Sequence, residues 1–467
     1  MDRPRRPNIL VFLTDDHGQW ALPTYGNREI IAPNIDYLAT SGVRMANAFT
    51  PCPVCSPARA SFFTGRLPSQ HGVHDWLRET EQALTHPGID DQTNIAELMQ
   101  SAGYYTGLVG KWHCGRSSEP KRGFDRWFSY QVAQYPHFGE QNFSDQGTHV
   151  QRTGHQSALF TDEAVAFLRD RPRDGDEAPP FFLFVGYVNT HTPHTQQPER
   201  LVSHYGNATF DDIPDETAAD CHGTGRRKMP DRDQLREEWA QYYASVTMID
   251  DQVGRLLDEL DAQGELSNTL VVYTGDHGHM NGHHGLFNKG NGTVPQNFIE
   301  ESIRVPCVMA WHDGIAAGQD RDEMVDLCDV YATLLDVAGV ELPDETRSEI
   351  DSPGASFLPL LTDGDATWKD TQYCEYGNAR MARTTTHKLI VRYPGPNGTF
   401  PNELYDLEND PRERINRYGD AAYAEAQLEL HRRLDAHFTR YENAERSGAD
   451  IMNQPQCNPN EPWRAEL

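Results

Sequence analysis

A short apolar stretch followed by two adjacent carboxylates constrains this chain more than any other feature. Residues 8–13, Asn-Ile-Leu-Val-Phe-Leu, form a continuous apolar run, as expected for a central parallel strand buried on both faces. Asp15 and Asp16 follow it. Functional groups in open α/β sheets collect at the carboxyl ends of strands, and two adjacent carboxylates repel each other unless a cation lies between them. The stretch favours a strand that ends at a metal site over a solvated acidic turn.

Three further apolar runs also end in polar residues. These runs cover 104–109, 181–188 and 269–274. The polar residues that follow them are Lys111, His113, His191, Asp276 and His277. A glycine-rich loop at 288–292 adds Lys289. Each junction alone could be an ordinary turn, but several at the same end of successive buried strands predict one shared site.

Cys55 lies in a proline-rich approach to a predicted helix. Prolines at 51, 53 and 57 hold the approach extended, and residues 58–63 indicate a helix with Pro57 at its first position. Cys55 would then lie at a helix N-terminus, where the dipole and free N–H groups favour an anion. Arg59, one turn on, adds a fork suited to an oxyanion. A buried structural cysteine is the alternative for this segment alone.

The remaining pattern predicts a large sheet flanked by helices, followed by a smaller unit. Predicted helices cover 33–41, 94–101, 157–169, 235–263 and 325–338, and further strands cover 43–49 and 305–311. Beyond residue 362, short strands at 373–376, 381–384, 388–393 and 403–407 precede a helix at 420–441. We therefore expect a catalytic α/β domain (1–362), a C-terminal α+β subdomain of antiparallel strands and a helix (363–442), and a polar tail (443–467). Residues 203–233 read as a long surface excursion.

The composition limits the kinds of partner that this chain is expected to bind. The formal net charge of −29 argues against binding to nucleic acid or to an anionic membrane. No apolar stretch approaches the roughly 20 residues of a membrane span, and no signal-peptide core is present, so the chain is expected to be cytoplasmic. The eight cysteines are scattered without metal-finger spacing and are expected to be mostly reduced. The sequence leaves the oligomeric state open, with a homo-oligomer as one alternative.

The segment Cys55-Ser56-Pro57-Ala58-Arg59, continued by residues 61–66, resembles the signature of the formylglycine-dependent (type I) sulfatases of the alkaline phosphatase superfamily. The order of motifs, from residues 7–9 to residues 406–411, resembles the same family. The likeness spans nearly the whole chain, with 203–233 and the tail excepted. It implies an alkaline-phosphatase-like fold with a large mixed, mostly parallel sheet.

The resemblance also implies roles for the polar residues. Cys55 would be oxidised by the formylglycine-generating enzyme during maturation. The residues that would bind a divalent cation are Asp15, Asp16, Asp276, His277 and the modified Cys55. Calcium is favoured because three carboxylates form a hard oxygen set, while the imidazole keeps manganese and magnesium as alternatives. The expected catalytic contacts are Arg59 to the formylglycine, Lys111 to the sulfate, His113 to the nucleophile, and His191 and Lys289 to the leaving-group oxygen.

The expected activity is hydrolysis of a sulfate monoester, on a sulfated carbohydrate or an aryl sulfate. A sugar or aryl pocket could be lined by Trp76, Arg78, Trp112, Tyr135, His137 and the 203–233 loop, with ordinary surface or core as the more common alternative for each. The alternative is a phosphonate monoester or phosphodiester hydrolase of the same superfamily. Such relatives often carry Asp-Gln where this chain has Asp15-Asp16, which favours the sulfatase. An inactive binding protein is disfavoured because every expected polar position is filled.

Overall fold

The apolar runs of the sequence form the strands of one large sheet. The computed structural model describes residues 6–79, 86–131, 136–173, 178–362 and 366–465. In chain order, the strands of these residues are β1 (Asn8–Thr14), β2 (Val43–Phe49), β3 (Tyr105–Gly110), β4 (Arg126–Tyr130), β5 (Phe138–Asp145), β6 (Thr148–His155), β7 (Phe181–Gly186), β8 (Thr224–Gly225), β9 (Thr269–Gly275), β10 (Thr293–Val294), β11 (Cys307–Ala310), β12 (Gln319–Asp326), β13 (Gln372–Tyr376), β14 (Ala379–Arg383), β15 (His387–Arg392) and β16 (Glu403–Asp406). The α-helices are α1 (Pro33–Ser41), α2 (Cys55–Thr64), α3 (Pro68–His71), α4 (Ile95–Ser101), α5 (Gln156–Asp170), α6 (Glu199–Tyr205), α7 (Arg232–Ala262), α8 (Glu300–Ile303), α9 (Leu327–Val337), α10 (Asp344–Ile350), α11 (Leu358–Thr362) and α12 (Ala424–Tyr441).

β1 lies in the interior of the large sheet. Among the described residues this sheet has ten strands, in the order β12-β2-β11-β9-β1-β7-β3-β4-β5-β6. β1 pairs in parallel with β9 and β7, so that Val11 lies opposite Val272 on one side and Phe184 on the other. All seven residues of β1 are buried. The predicted α/β fold, with a mixed and mostly parallel sheet, is confirmed.

Side chains of β1 alternate between two hydrophobic cores. Ile9, Val11 and Leu13 pack into the core that contains α2, α4 and α9. Leu10 and Phe12 pack into the other core, with α1, α5 and α7. Burial on both faces explains why the sequence of this strand is continuously apolar rather than alternating. The strands β1, β3, β7 and β9 all end on the same side of this sheet.

Polar edge elements account for the errors in the predicted fold. The hairpin β5–β6 and the edge strand β12 were not predicted, because β6 and β12 are largely polar and give no apolar run. The helix predicted from residue 325 begins at Leu327, and Asp326 ends β12 and caps that helix by accepting from the Cys328 N–H at 2.8 Å. Helix α2 begins at Cys55, so Pro57 is its third residue and not its first.

The C-terminal part forms the predicted antiparallel sheet and helix. Its four strands lie in the order β13-β14-β15-β16, and every pair is antiparallel. Leucines 430 and 434 and Phe438 of α12 pack against Ala382, Leu389 and Leu404 of this sheet. The boundaries at 362 and 442 remain predictions, and residues 363–365 lie outside the described residues.

The predicted surface excursion at 203–233 and the predicted polar tail both contribute residues to the core. In the 203–233 stretch Phe210 and Ile213 are buried, and β8 pairs with β10. In the tail Ile451, Cys457 and Trp463 are buried. Among the described residues no helix is both long enough and apolar enough to cross a bilayer.

Candidate active site

The two carboxylates after β1 are positioned by hydroxyl groups from neighbouring elements. Asp15 and Asp16 are buried. The Thr190 hydroxyl, in the loop after β7, lies 3.0 Å from the Asp15 carbonyl and 2.8 Å from the Asp16 carbonyl. Tyr242 of α7 donates to the Asp16 carbonyl at 3.0 Å. These bonds fix the main chain, with Asp16 in the left-handed region at φ 56°, which Asp tolerates better than most residues.

The Cys55 thiol lies at the centre of the polar cluster. Its Sγ atom is 3.3 Å from Asp15 Oδ1, 3.2 Å from His277 Nε2 and 3.0 Å from Lys289 Nζ. Burial raises the pKa of this thiol, but the positive charges of Lys111 and Lys289 lower it by more than burial raises it. The net pKa is therefore well below the usual range. The start of α2 is therefore a place that stabilises negative charge, as its helix dipole also favours.

Arg59 connects three elements of the site. From α2, its Nε donates to Asp276 Oδ2 at 2.7 Å and its Nη1 donates to the Lys111 carbonyl at 2.9 Å. The side chain is fully buried, and its Nη2 has no hydrogen-bond partner among the described residues. A buried guanidinium nitrogen without a partner is costly, so this atom is placed to donate to a bound oxygen.

The two lysines lie against the two carboxylates. Lys111 Nζ contacts Asp15, and Lys289 Nζ contacts Asp16. Burial raises the pKa of Asp16, but Lys289 and the neighbouring imidazoles outweigh that effect and hold the pKa well below normal. These carboxylates are therefore ionised and available as ligands.

The pKa values of His113 and His191 are shifted in opposite directions. His113 Nε2 lies 3.0 Å from the Leu77 carbonyl, which can only accept, so Nδ1 is the acceptor of a neutral ring. Burial, with Lys111, lowers the pKa of His113 to about 4. Burial also lowers the pKa of His191, but Asp16, whose Oδ2 lies 3.9 Å from His191 Nε2, raises it to a net value above the usual one. The pair offers a base and an acid on one site.

Part of this polar cluster opens onto a cavity of about 200 Å³, which we call the catalytic cavity. Its lining residues are Asp16, Cys55, Trp76, His113, His191, Thr192, Asn288, Lys289 and Asn291. The candidate nucleophile Cys55 and the two histidines thus face one space of the size that a small anion needs.

Four of the proposed metal-ligating residues converge closely. Single ligand atoms of Asp15, Asp16, Cys55 and His277 all lie within 4.8 Å of one another, and all four residues are buried. Asp276 is adjacent, with Oδ1 3.4 Å from His277 Nε2, and burial together with Asp15 raises its pKa to about 6. Buried carboxylates that repel one another, with one imidazole, fit a hard divalent cation, which would relieve that repulsion.

The structure separates the predicted pocket residues. Trp76 lines the catalytic cavity, whereas Trp112 is buried in the core against Phe63, with ring centroids 4.4 Å apart, in agreement with the core alternative for this residue. His137 lies behind His191, with its Nε2 3.1 Å from the His191 carbonyl. Arg78 is exposed. Tyr135 lies outside the described residues.

Several residues of the site were not predicted. His279 Nε2 lies 3.9 Å from Asp16 Oδ2, and Thr192, Asn288 and Asn291 line the catalytic cavity. His279 follows Asp276 and His277 on the same loop, and that proximity was the one available signal. The polar side chains of the other three residues read as ordinary turn residues in the sequence.

The chain matches known protein families over most of its length. The sulfatase family model matches residues 7–340, and the model for the C-terminal part of N-sulphoglucosamine sulphohydrolase matches residues 282–440. The chain is 29% identical to the N-acetylglucosamine-6-O-sulfatase of Bacteroides thetaiotaomicron, with 95% of this chain and 88% of that protein covered.

Solved structures give the same result for the fold. One is an enzyme in complex with its substrate D-glucosamine-2-N,6-O-disulfate, with a TM-score of 0.76 and 28% identity over 94% of this chain and 98% of that one. The phosphonate monoester hydrolase of Agrobacterium radiobacter, at 22% identity over 93% and 96% of the two chains, shares the fold with a TM-score of 0.72. Since the family model covers more than half of the chain, this protein belongs to the sulfatase family of the alkaline phosphatase superfamily.

Proposed function

We propose that this sulfatase hydrolyses carbohydrate sulfate monoesters with a formylglycine formed from Cys55 and a divalent cation. The cation, for which calcium is the first candidate, would be held by Asp15, Asp16, Asp276, His277 and the modified Cys55. The observation that carries the proposal is the position of Cys55 Sγ, within 3.3 Å of a carboxylate, an imidazole and a lysine at the start of a helix. When formed, the hydrated aldehyde supplies one hydroxyl to attack sulfur and a second to expel sulfate.

The charges of the site suit a singly charged anion. Three buried carboxylates, Asp15, Asp16 and Asp276, face three buried cations, Arg59, Lys111 and Lys289. These charges cancel, so a bound divalent cation would make the site positive, despite the net charge of −29 on the whole chain. The unpartnered Arg59 Nη2 can donate to an oxygen of the modified residue, and the two lysines can stabilise charge on the sulfate and on the bridging oxygen.

Two histidines can move the protons of the reaction. His191 and Lys289 line the catalytic cavity and can donate to the bridging oxygen as the S–O bond breaks. His113 is neutral near pH 7, and its free Nδ1 can accept a proton when sulfate is released.

The substrate class rests on the similar proteins. A similar protein is named N-acetylglucosamine-6-O-sulfatase, and a similar solved structure contains a 6-O-sulfated glucosamine. We therefore propose a 6-O-sulfated hexosamine as the first substrate to test, with aryl sulfates as the second class.

The test begins with the mass of the Cys55 peptide. Co-expression with the formylglycine-generating enzyme should lighten this peptide by about 18 Da, and C55S should lose multiple turnover, whereas C52S should remain active. Converted enzyme should also prefer a nitrophenyl sulfate over the matched phosphonate and phosphodiester by at least about 100-fold in kcat/KM. An unmodified peptide in fully active enzyme, or a preference for a phosphorus ester, would reject the proposal.

A further inference from the structure

A second, larger cavity adjoins the catalytic cavity. Its volume is about 530 Å³, within the roughly 300–1,000 Å³ range of small-molecule sites. We call it the leaving-group chamber, and its lining residues are His191, Thr192, Pro193, His194, Thr195, Arg227, Glu238 and Asn288. His191, Thr192 and Asn288 line both spaces, so they form the boundary between the two cavities.

The position of His191 at this boundary indicates which part of the substrate the chamber receives. The sulfur atom must lie near Cys55 in the catalytic cavity, and the bridging oxygen must lie near His191, the proposed acid. The carbon skeleton of the alcohol then extends past His191, into the chamber. This step rests on the proposed function.

The wall of the chamber contains a histidine with unused hydrogen-bonding capacity. His194 is 6% exposed, and neither of its ring nitrogens has a hydrogen-bond partner among the described residues. Its ring is fixed by packing against Tyr242, His279 and Phe287, at centroid distances of 5.1, 5.4 and 5.8 Å. A neutral imidazole has one donor and one acceptor, which matches a hydroxyl group.

The opposite charges of Arg227 and Glu238 neutralise each other on the same wall. Arg227 Nη1 donates to Glu238 Oε2 at 2.9 Å, and Arg227 Nη2 donates to Glu238 Oε1, so the ion pair is bidentate. The guanidinium also stacks over Phe287, 4.1 Å from the ring centroid. Hydrogen-bond donors and acceptors are present, but no uncompensated cation is offered by this pair to a second anionic group.

The 203–233 stretch brings Arg227 to this wall. The Arg226 N–H donates to the Gly292 carbonyl at 2.8 Å, next to the β8–β10 pair, in which Gly225 lies opposite Thr293. Residues 288–293 also carry Lys289. The 203–233 stretch, which carries Arg227, is therefore hydrogen-bonded to the loop that carries Lys289.

We infer that the leaving-group chamber binds an electrically neutral sugar ring, with His194 and the Arg227–Glu238 pair as its specificity determinants. An N-acetylated hexosamine 6-O-sulfate fits this chamber, whereas a second sulfate on the ring would meet no unpaired cation among the described lining residues, because His191 lies against Asp16 and Arg227 against Glu238.

The test compares kcat/KM for N-acetylglucosamine 6-O-sulfate and glucosamine-2-N,6-O-disulfate. Wild-type enzyme should prefer the N-acetyl ester, and E238Q should shift the ratio toward the disulfate by about fivefold, the effect of one unpaired charge at about 4 Å in water-like surroundings. R227Q should shift the ratio the opposite way. E237Q, on the exposed residue next to Glu238, is the matched control and should leave the ratio unchanged.

A binding measurement separates this inference from the proposed function. H194F keeps a packed ring but removes the donor and the acceptor, and it should weaken calorimetric binding of N-acetylglucosamine to unconverted protein by at least about fivefold. Equal ratios in wild type, E238Q and R227Q, or unaltered sugar binding by H194F, overturn the inference. Failure of converted wild-type enzyme to hydrolyse either ester, with sugar binding and its loss in H194F intact, instead rejects the proposed function and leaves the sugar site supported.

Discussion

At the residue scale, Arg59 shows how one side chain joins distant parts of the site. It starts on α2 and binds Asp276 after β9 and the Lys111 carbonyl after β3. A lysine could not make both contacts, because its single nitrogen lacks the planar fork of a guanidinium. Removal of either partner of such a buried pair typically costs about 3–5 kcal/mol, so the pair both positions the site and makes it sensitive to substitution.

The carboxylates lead to a prediction about metal removal. Exhaustive chelation should abolish sulfate release and lower the melting temperature, because Asp15, Asp16 and Asp276 would be left repelling one another. Added calcium should restore both. D16N should require more calcium than wild type for half-maximal activity, whereas D211N, on an exposed residue, should not. Full activity in protein shown to be metal-free would contradict the site.

His191 leads to a prediction about leaving groups. H191N should slow the hydrolysis of alkyl sulfates at least about tenfold more than that of nitrophenyl sulfate, because a phenolate leaves with less need of a proton. The measurement is kcat/KM across a series of leaving-group pKa values. H204N, on an exposed histidine, is the matched control and should give the wild-type slope. A uniform loss across the series would show that His191 is not the acid.

At the scale of elements, the C-terminal tail supports one wall of the catalytic cavity. Asn458 Nδ2 donates to the Trp76 carbonyl at 2.8 Å, and the Arg78 N–H donates to the Cys457 carbonyl at 3.3 Å. Between these contacts, Leu77 accepts from His113 at 3.0 Å. The tail thus holds the segment that carries Trp76 and orients His113.

These contacts lead to a prediction about Asn458. N458A should raise KM for a saccharide sulfate by about threefold to tenfold, the effect of one buried hydrogen bond, with a smaller change in kcat. N453A, at an exposed position of the same tail, should behave as wild type. An unchanged KM in folded N458A would show that the tail does not position Trp76.

At the scale of the whole molecule, the net charge opposes the approach of an anionic substrate. With −29 on the chain, kcat/KM for a sulfate ester should rise about twofold or more between 10 and 150 mM salt, because screening reduces the long-range repulsion more than the short contacts of the buried site. Stopped assays at matched substrate concentration measure this. A fall of the same size would show that the local positive field of the site dominates the approach.

The sequence predicted the parts of the molecule that depend on local pattern. β1 and the runs at 181–188 and 269–274 were evident because burial on both faces demands continuous apolar residues, and the polar residues after them follow from parallel pairing. The contribution of Asn458 was not predictable in this way, because it is 382 residues from Trp76 and belongs to a tail without clear pattern. Edge strands such as β12 and β6 were missed because, within the described part of the chain, one side of each pairs with no other strand, and because their residues are largely polar.

Because α2 is buried, Cys55 would have to be converted before the chain folds. Every residue from Cys55 to Thr64 is buried, and Asn458, which donates to the Trp76 carbonyl, is synthesised long after this helix. An enzyme that must grasp the Cys55 segment has access to it only while the chain is unfolded. Under the proposed maturation, conversion therefore competes with folding, and thiol protein that has already folded stays inactive when the converting enzyme is added later.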